Sequence, residues 1–487
     1  MTLVLGVDSS TQSVKVEVRD VTTGALRAWA KAAHPSTTPP VSEQSPSAWW
    51  DAFLAAATLA LDSVDRSDVV AISVAGQQHG MVALDAGGNA VHPAKLWNDT
   101  ESAPEASELL VSMDAQAWAE AVGSVPVAAF TVTKLAWLRR HHPLSYARMV
   151  SVVLPHDELN RRLTGRLTTD RGDASGTGYW SPHSETWHLG ALAQVDPDRD
   201  WPAVLPEVVA PFEPAGPLTT SAAMALGLPS SVLVGAGTGD NMGAALGLGL
   251  AAGDVVVSLG TSGTVYAVSD EPTADATGFV AGFADATGRY LPLVCTLNAM
   301  KVTDAAARLL GVDHDAFESL VLESEPGAGG LVLVPYLDGE RTPNRPDATG
   351  TLTGIRSDVS RAQFARASVE GVVCGLLDGL DALRVAGVAT DGRLLLIGGG
   401  SRSQAFRRVV ADLAQRPVTV PAADEHVAVG AALQAAVMWT CVTTGSTGDE
   451  ALQSLRHAWR LGGGDTTLPD ATVDASAIRQ AYAMARG

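Results

Sequence analysis

Several short stretches place carboxylates, amides and hydroxyls where a strand runs out, and each could take part in chemistry. In GAGTGDNMGAALGLGL, from Gly235, a strand ends in glycines and Asp240 stands where a small-residue helix begins. Asp240 reads two ways: as the N-cap of that helix, or as the carboxylate that orients a substrate hydroxyl and accepts its proton late in phosphoryl transfer. The helix start would keep it ionised, and Asn241 follows directly. In GVDSSTQSVK, Asp8 ends a strand just before a turn of small polar residues that includes Thr11 and Gln12. Such a turn leaves backbone N–H groups uncovered and suits phosphate oxygens. A carboxylate beside it either caps its own turn or holds hydrated magnesium against a nucleotide. In GQQHG, Gly76–Gly80, Gln78 and His79 offer donors and acceptors to a polyol with glycines clearing space on both sides, or form a polar turn. LWNDT, Leu96–Thr100, adds Asn98 and Asp99, which also read as turn residues, beside Trp97 as a core aromatic. LLLIGGGSRSQ, from Leu394, is a strand, three glycines and a helix start, an arrangement that brings backbone against a nucleotide.

The elements that must position these groups alternate short β-branched runs with longer helical patterns, which predicts an α/β fold. Strands are expected at Val69–Ala75, Val232–Gly235, Val255–Leu259, Leu331–Val334 and Leu394–Ile397. A helix is expected to start at Ser45 with Pro46 as its first residue, burying Trp50, Phe53, Leu54, Ala57 and Leu61. A second, after Ser360, carries Gly371, Gly375 and Gly379, small enough to admit a close neighbour. A faint repeat is the most informative pattern. Leu3–Asp20 and Asp254–Asp270 each read as strand, small-polar turn, strand, the second turn carrying Gly260, Thr261, Ser262 and Gly263. The pair reads either as two hairpins alike by chance, since turns favour Gly, Ser and Thr, or as the duplicated half a two-lobed ATPase would show, with Gly247–Gly253 as boundary and lobes at 1–250 and 251–487.

The length of 487 residues predicts two large domains. A formal charge of −20 argues against a nucleic-acid partner, which needs a basic face. No run approaches the ~18 apolar residues of a membrane span, and the start lacks the basic and apolar regions of a signal peptide. Cys295, Cys374 and Cys441 are too scattered for a disulfide framework or zinc site and read as free thiols. A cytoplasmic protein with no membrane partner is the expectation. GxxxxGK[ST], GxSxG, HExxH and HRD are all absent, which excludes a P-loop kinase among others.

The order of motifs resembles the FGGY carbohydrate kinases of the actin-like ATPase superfamily over residues 1–445. VDSSTQSVK, GQQHG, LWNDT, LPHDELNRRLTG, GDNMGAALG, SLGTSG, PYLDGERTP and IGGGSRSQ follow one another as they do in that family. The resemblance implies two ribonuclease H-like lobes with an active-site cleft between them, and ATP with Mg2+. GDN, LWNDT, SLGTSG and GERTP are most similar to members that phosphorylate D-xylulose, which implies a ketose acceptor. It assigns Asp240 as base on the 5-hydroxyl with Asn241 beside it, and Gln78, His79 and Asn98 as sugar contacts. Asp8 serves the metal, Thr11 and Gln12 hold one side of the phosphates, and Gly260, Thr261 and Ser262 hold the other. Gly399 and Gly400, with Ser403 and Gln404, line the adenine site, and a homodimer is the implied assembly. Gln78 stands where methionine is common and Glu101 where a basic residue is common, both expected in or near the sugar pocket. The alternatives are another FGGY kinase (ribulose, polyol or gluconate), an actin-like ATPase switch and a non-catalytic sugar sensor.

Overall fold

The structure is a computed structural model that describes residues 1–422 and 425–487. Its first sheet opens with the hairpin of β1 (Leu3–Ser9) and β2 (Ser13–Asp20), in which Asp8 lies opposite Lys15, and continues antiparallel to β3 (Leu26–Ala33). Helix α1 (Pro46–Leu61) starts at the expected Pro46, although the Ser45 side chain makes no cap bond. Trp49 is wholly buried, whereas Trp50 and Leu54, expected inside, are only half-buried. Strand β4 (Val69–Gly76) lies parallel to β1 on its other side. The chain then leaves the sheet, forms α2 (Pro155–Thr164) and α3 (Arg171–Ser175), and returns as β5 (Leu233–Gly235), parallel to β4. Helix α4 (Asp240–Gly247) follows and begins at Asp240.

The second sheet repeats the plan. Strands β6 (Val255–Leu259) and β7 (Gly263–Ala267) form the hairpin. Strand β8 (Ala281–Ala284) pairs with β9 (Tyr290–Thr296), which lies antiparallel to β7. After the long helix α5 (Arg361–Val385) come β10 (Leu394–Ile397), parallel to β6, and β11 (Val418–Pro421), parallel to β10. In both sheets the first hairpin strand thus has an antiparallel partner on one side and a parallel one on the other.

Strand alternation distributes these sheets over three apolar layers. Leu3, Leu5 and Val7 face a core shared with α1, while Val4 points the other way. Val255, Val257 and Leu259 face a core built on α5, while Val256 points back toward the first lobe. The middle layer is filled by α4 and by α6 (His426–Thr444), a helix of the second half that packs on β1, β4 and α4. Helix α6 is long and apolar enough to cross a membrane by length and composition, contrary to the expectation that no segment would be. It is instead a core helix, buried along most of its length between the lobes. Glycines permit that packing: a Cβ on Gly430 would overlap the Gly243 carbonyl, and one on Gly6 the Ala428 carbonyl. Gly371 lies equally close to the Leu333 carbonyl, as its place in α5 led us to expect.

Candidate active site

The parallel register carries β1 and β4 to a common edge, so Ser9 pairs with Gly76 and the first turn stands beside GQQHG. A cavity of about 390 Å³ opens there between the lobes. Thr11, Gln78, His79, Asp240 and Asn241 reach it from the first lobe, and Gly260 and Ser262 from the second. Gln12, Thr261, Gln404 and Asn98 do not line it. Gln12 and Thr261 are exposed in the two hairpin turns, and Gln404 is exposed at the start of the helix Gln404–Ala414. Asn98 lies behind the wall, its Oδ1 buried with no partner among the described residues.

Asp240 heads α4 with Gly239 as the cap residue, so it is the first helical residue rather than the N-cap. Its Oδ1 accepts from the Asn241 backbone and side chain at 2.8 and 3.0 Å, and the Asn241 amide also donates to Gln78 Oε1 at 3.0 Å. That leaves Gln78 Nε2 buried and unpaired, a donor free for a ligand. Burial, then the like charges of Asp8 and Asp173, push Asp240 up to about 7. Burial likewise raises Asp8 to about 6, against the Ser10 hydroxyl, which donates to Asp8 Oδ1 at 2.5 Å, and the charge of Lys15. The charge of Asp8 bears on Asp240, although Asp8 does not itself line the cavity, and the hard oxygens of two such carboxylates suit magnesium. Lys15 is otherwise engaged, in an ion pair with Glu425. The donor set therefore fits the implied metal.

His79 has φ 66°, which turns its ring under the cavity between Phe130 and Phe283. Its Nδ1 faces the Gly176 carbonyl at 2.6 Å, so this nitrogen carries the proton and Nε2 is an acceptor. Burial holds the ring neutral, pushing it down to about 3. The glycines around these groups, expected to clear space for a ligand, make room for protein instead. Gly76 admits His156, Gly80 admits Pro155, and Gly239 admits the Gln78 side chain, with a Cβ lying 3.0, 2.6 and 2.6 Å from the intruding atoms. The LPHD segment thus supports the Gly76–Gly80 turn from below. There His156 is wholly buried, with Nδ1 2.8 Å from Asp173 and Nε2 3.1 Å from Asp157. Burial opposes its charge, but Asp157, Asp173 and Asp170 outweigh burial and push it up to about 10.

Two features of the site were not anticipated. Trp97, expected in the core, is 36% exposed and lines the cavity, its Nε1 donating to Thr11 Oγ1 at 2.9 Å. Arg341, within the GERTP motif but given no role, lines it from the second lobe. Conversely, Glu101 does not line the cavity: it grips Lys95, whose buried ammonium also binds Asp99 and Glu43 at 3.0 Å each. Lys95 fills the space among those three carboxylates, so their grouping is an ion-pair cluster and Asp99 a buried structural residue.

A second cavity, about 320 Å³, lies within the second lobe and is lined by Gly399, Gly400 and Ser403 with Met300, Phe317 and His314. The Met300 backbone donates to the Gly260 carbonyl at 3.0 Å, which joins this cavity's wall to the second turn. A Cβ on Gly400 would lie 2.6 Å from the Met300 sulfur. A further cavity, about 640 Å³, lies in the second lobe beside α5 and holds none of the anticipated site residues.

Duplicated hairpin lobes, each offering a small-residue turn to one cleft that also holds a carboxylate and sugar-sized polar groups, define an ATP-dependent phosphotransferase acting on a carbohydrate. The chain belongs to the FGGY family of carbohydrate kinases: residues 3–247 match the family's N-terminal domain and residues 255–439 its C-terminal domain. It is 49% identical to a xylulose kinase of Streptomyces coelicolor over 90% of this chain and 88% of that protein. Identity to the xylulose kinase of Escherichia coli is 34%, over 84% of each chain. The crystal structure of xylulose kinase from Bifidobacterium adolescentis superposes with a TM-score of 0.85 at 40% identity, covering 100% of this chain and 99% of that one.

Proposed function

We propose that this enzyme transfers the γ-phosphoryl group of ATP to the 5-hydroxyl of D-xylulose, giving D-xylulose 5-phosphate and ADP, with Asp240 as general base. The observation that carries this reading is the placement of Asp240 with Gln78, His79 and Asn241 on one side of a cavity whose other side is the Gly260–Ser262 turn. The similarity to proteins named xylulose kinase supports the choice of sugar. We take residues 1–250 and 251–487 as the two lobes, with α6 returned to the first.

In this reading the adenine lies against Gly399, Gly400 and Ser403, and the triphosphate runs past Gly260 into the cleft. Backbone N–H groups of the second turn and the Thr11 hydroxyl receive phosphate oxygens. Asp8 holds magnesium, which when bound neutralises charge on the phosphates. Gln78 Nε2 donates to a sugar oxygen and His79 Nε2 accepts from a sugar hydroxyl. Asp240 orients the 5-oxygen and takes its proton as the new P–O bond forms. Closure of the lobes excludes water, the competing acceptor.

The test is ADP release with magnesium-ATP over D-xylulose, both ribuloses, xylitol, glycerol and gluconate, for the parent and Asp240→Asn. D-xylulose preference with a loss of about 10²–10⁴-fold in the variant, ATP binding being retained, is the expected result. Preference for another sugar would keep the family chemistry and move attention to Gln78. An active Asp240→Asn would remove the base from the mechanism.

A further inference from the structure

We propose that the cavity of about 640 Å³ beside α5 binds a free α-amino acid with an apolar side chain, Arg366 taking its carboxylate and Glu370 its ammonium. This site shares no lining residue with the inter-lobe cavity or with the one lined by Gly399 and Gly400, and it does not depend on which sugar the enzyme phosphorylates.

Arg366, Glu370 and Cys374 recur every four residues, so they share one face of α5, and all three line the cavity. Arg366 is 3% exposed and Glu370 4%. Arg366 Nε donates to Glu370 Oε1 at 2.6 Å, and the Gly327 N–H donates to the same oxygen at 2.9 Å. Both bonds therefore use one carboxylate oxygen, and the guanidinium is engaged through one nitrogen. Among the described residues its two terminal nitrogens have no hydrogen-bond partner, Nη2 being buried in that state, and neither has Glu370 Oε2. A buried donor without an acceptor is costly. A ligand carboxylate relieves that cost, because the fork of terminal nitrogens matches two carboxylate oxygens.

The charge of the lining narrows the ligand further. Glu325, Glu370, Asp412, Asp470 and Asp474 face the cavity, against Arg366 and Arg408 alone. That surplus of negative charge disfavours a nucleotide or a sugar phosphate. A plain amine would answer the carboxylates and leave the guanidinium fork empty. A zwitterion answers both. The Nε–Oε1 contact makes the fork and Glu370 Oε2 neighbours, as the carboxylate and ammonium of an α-amino acid are neighbours on one carbon. One turn beyond Glu370 the wall becomes apolar: Cys374 is buried, as are Leu331 and Leu333, and Ile478 and Ala481 face the same space from the helix Ala475–Arg486. The amino acid's side chain lies there.

The test is isothermal titration calorimetry of the whole enzyme with L-leucine and with ligands that each lack one part of it. Isocaproate lacks the ammonium, isoamylamine the carboxylate and glycine the side chain. L-leucine should bind, and each truncated ligand should bind at least about tenfold more weakly. Arg366→Met removes the fork at similar size and should weaken L-leucine by at least about tenfold. Ala481→Phe fills the apolar end and should abolish binding; it leaves the Arg366–Glu370 pair in place, so it decides the matter should Arg366→Met fail to fold. No binding of L-leucine by the parent at millimolar concentration overturns the inference. Equal affinity for isocaproate would leave an anion site, equal affinity for isoamylamine only an acidic lining, and equal affinity for glycine no apolar end; each overturns it. So does L-leucine binding as tight in Ala481→Phe as in the parent, which would put the ligand elsewhere.

Discussion

The titration of Asp240 ties local geometry to catalysis at the scale of single residues. Burial and the like charges of Asp8 and Asp173 raise its carboxyl to about 7. The proposed base works ionised, so kcat/KM for the sugar should fall about tenfold per pH unit below that value and level off above it. A cation beside Asp8 favours the ionised form and should move the limb to lower pH as free magnesium rises. A limb fixed near 4 at every magnesium concentration would mean that Asp240 does not share its enclosure with Asp8. These groups were legible because strand ends followed by glycines and hydroxyls are local patterns. Trp97 and Arg341 were not, since their importance depends on which surfaces the two lobes turn toward each other. The glycines of GQQHG were misread for a related reason. Sequence shows where space is made, and only packing shows that His156 and Pro155 fill it.

Among the elements, the hairpin repeat and its parallel neighbours could be anticipated from β-branched runs and turn residues, because each hairpin is contiguous in the chain. Helix α6 could not be placed, because burial on nearly every side erases the one-sided apolar stripe by which a helix declares its partner. What fixes its place is the close approach of backbones at Gly430, Gly243 and Gly247. Gly430→Ala would drive a methyl group into the Gly243 carbonyl, and backbone cannot yield as a flexible side chain can. We expect a loss of about 1–3 kcal/mol and a lower midpoint of thermal unfolding. Gly463→Ala, whose Cβ has only the Arg460 carbonyl near it, at 3.8 Å, serves as the neutral comparison. Equal midpoints for parent and Gly430→Ala would deny the contact between α4 and α6.

For the whole molecule the question is what holds two lobes at the distance the chemistry needs. On the α4–α6 side they share one apolar layer. On the other, β8 of the second lobe is stitched to the first by backbone and hydroxyl groups. The Gly282 N–H donates to the Gly123 carbonyl at 2.9 Å and approaches the Ser124 hydroxyl at 3.1 Å, while Ala284 N–H meets the Ser175 hydroxyl at 2.9 Å. Ser124, Ala281 and Phe283 also line the inter-lobe cavity, the proposed sugar site, so this seam bears on its width. A Cβ on Gly282 would lie 2.6 Å from the Gly123 carbonyl, closer than any real contact of that kind. That Cβ would lie closer still to the Thr273 carbonyl of its own lobe, so Gly282→Ala should shift β8 away from both carbonyls and loosen the seam, which widens the proposed sugar site without touching the cavity lined by Gly399 and Gly400. The expected outcome is a sugar KM raised about tenfold or more, because misplacing contacts by even an ångström is costly, with equilibrium ATP binding unchanged. If ATP binding weakened in parallel, the seam would be supporting the second lobe itself rather than spacing the two.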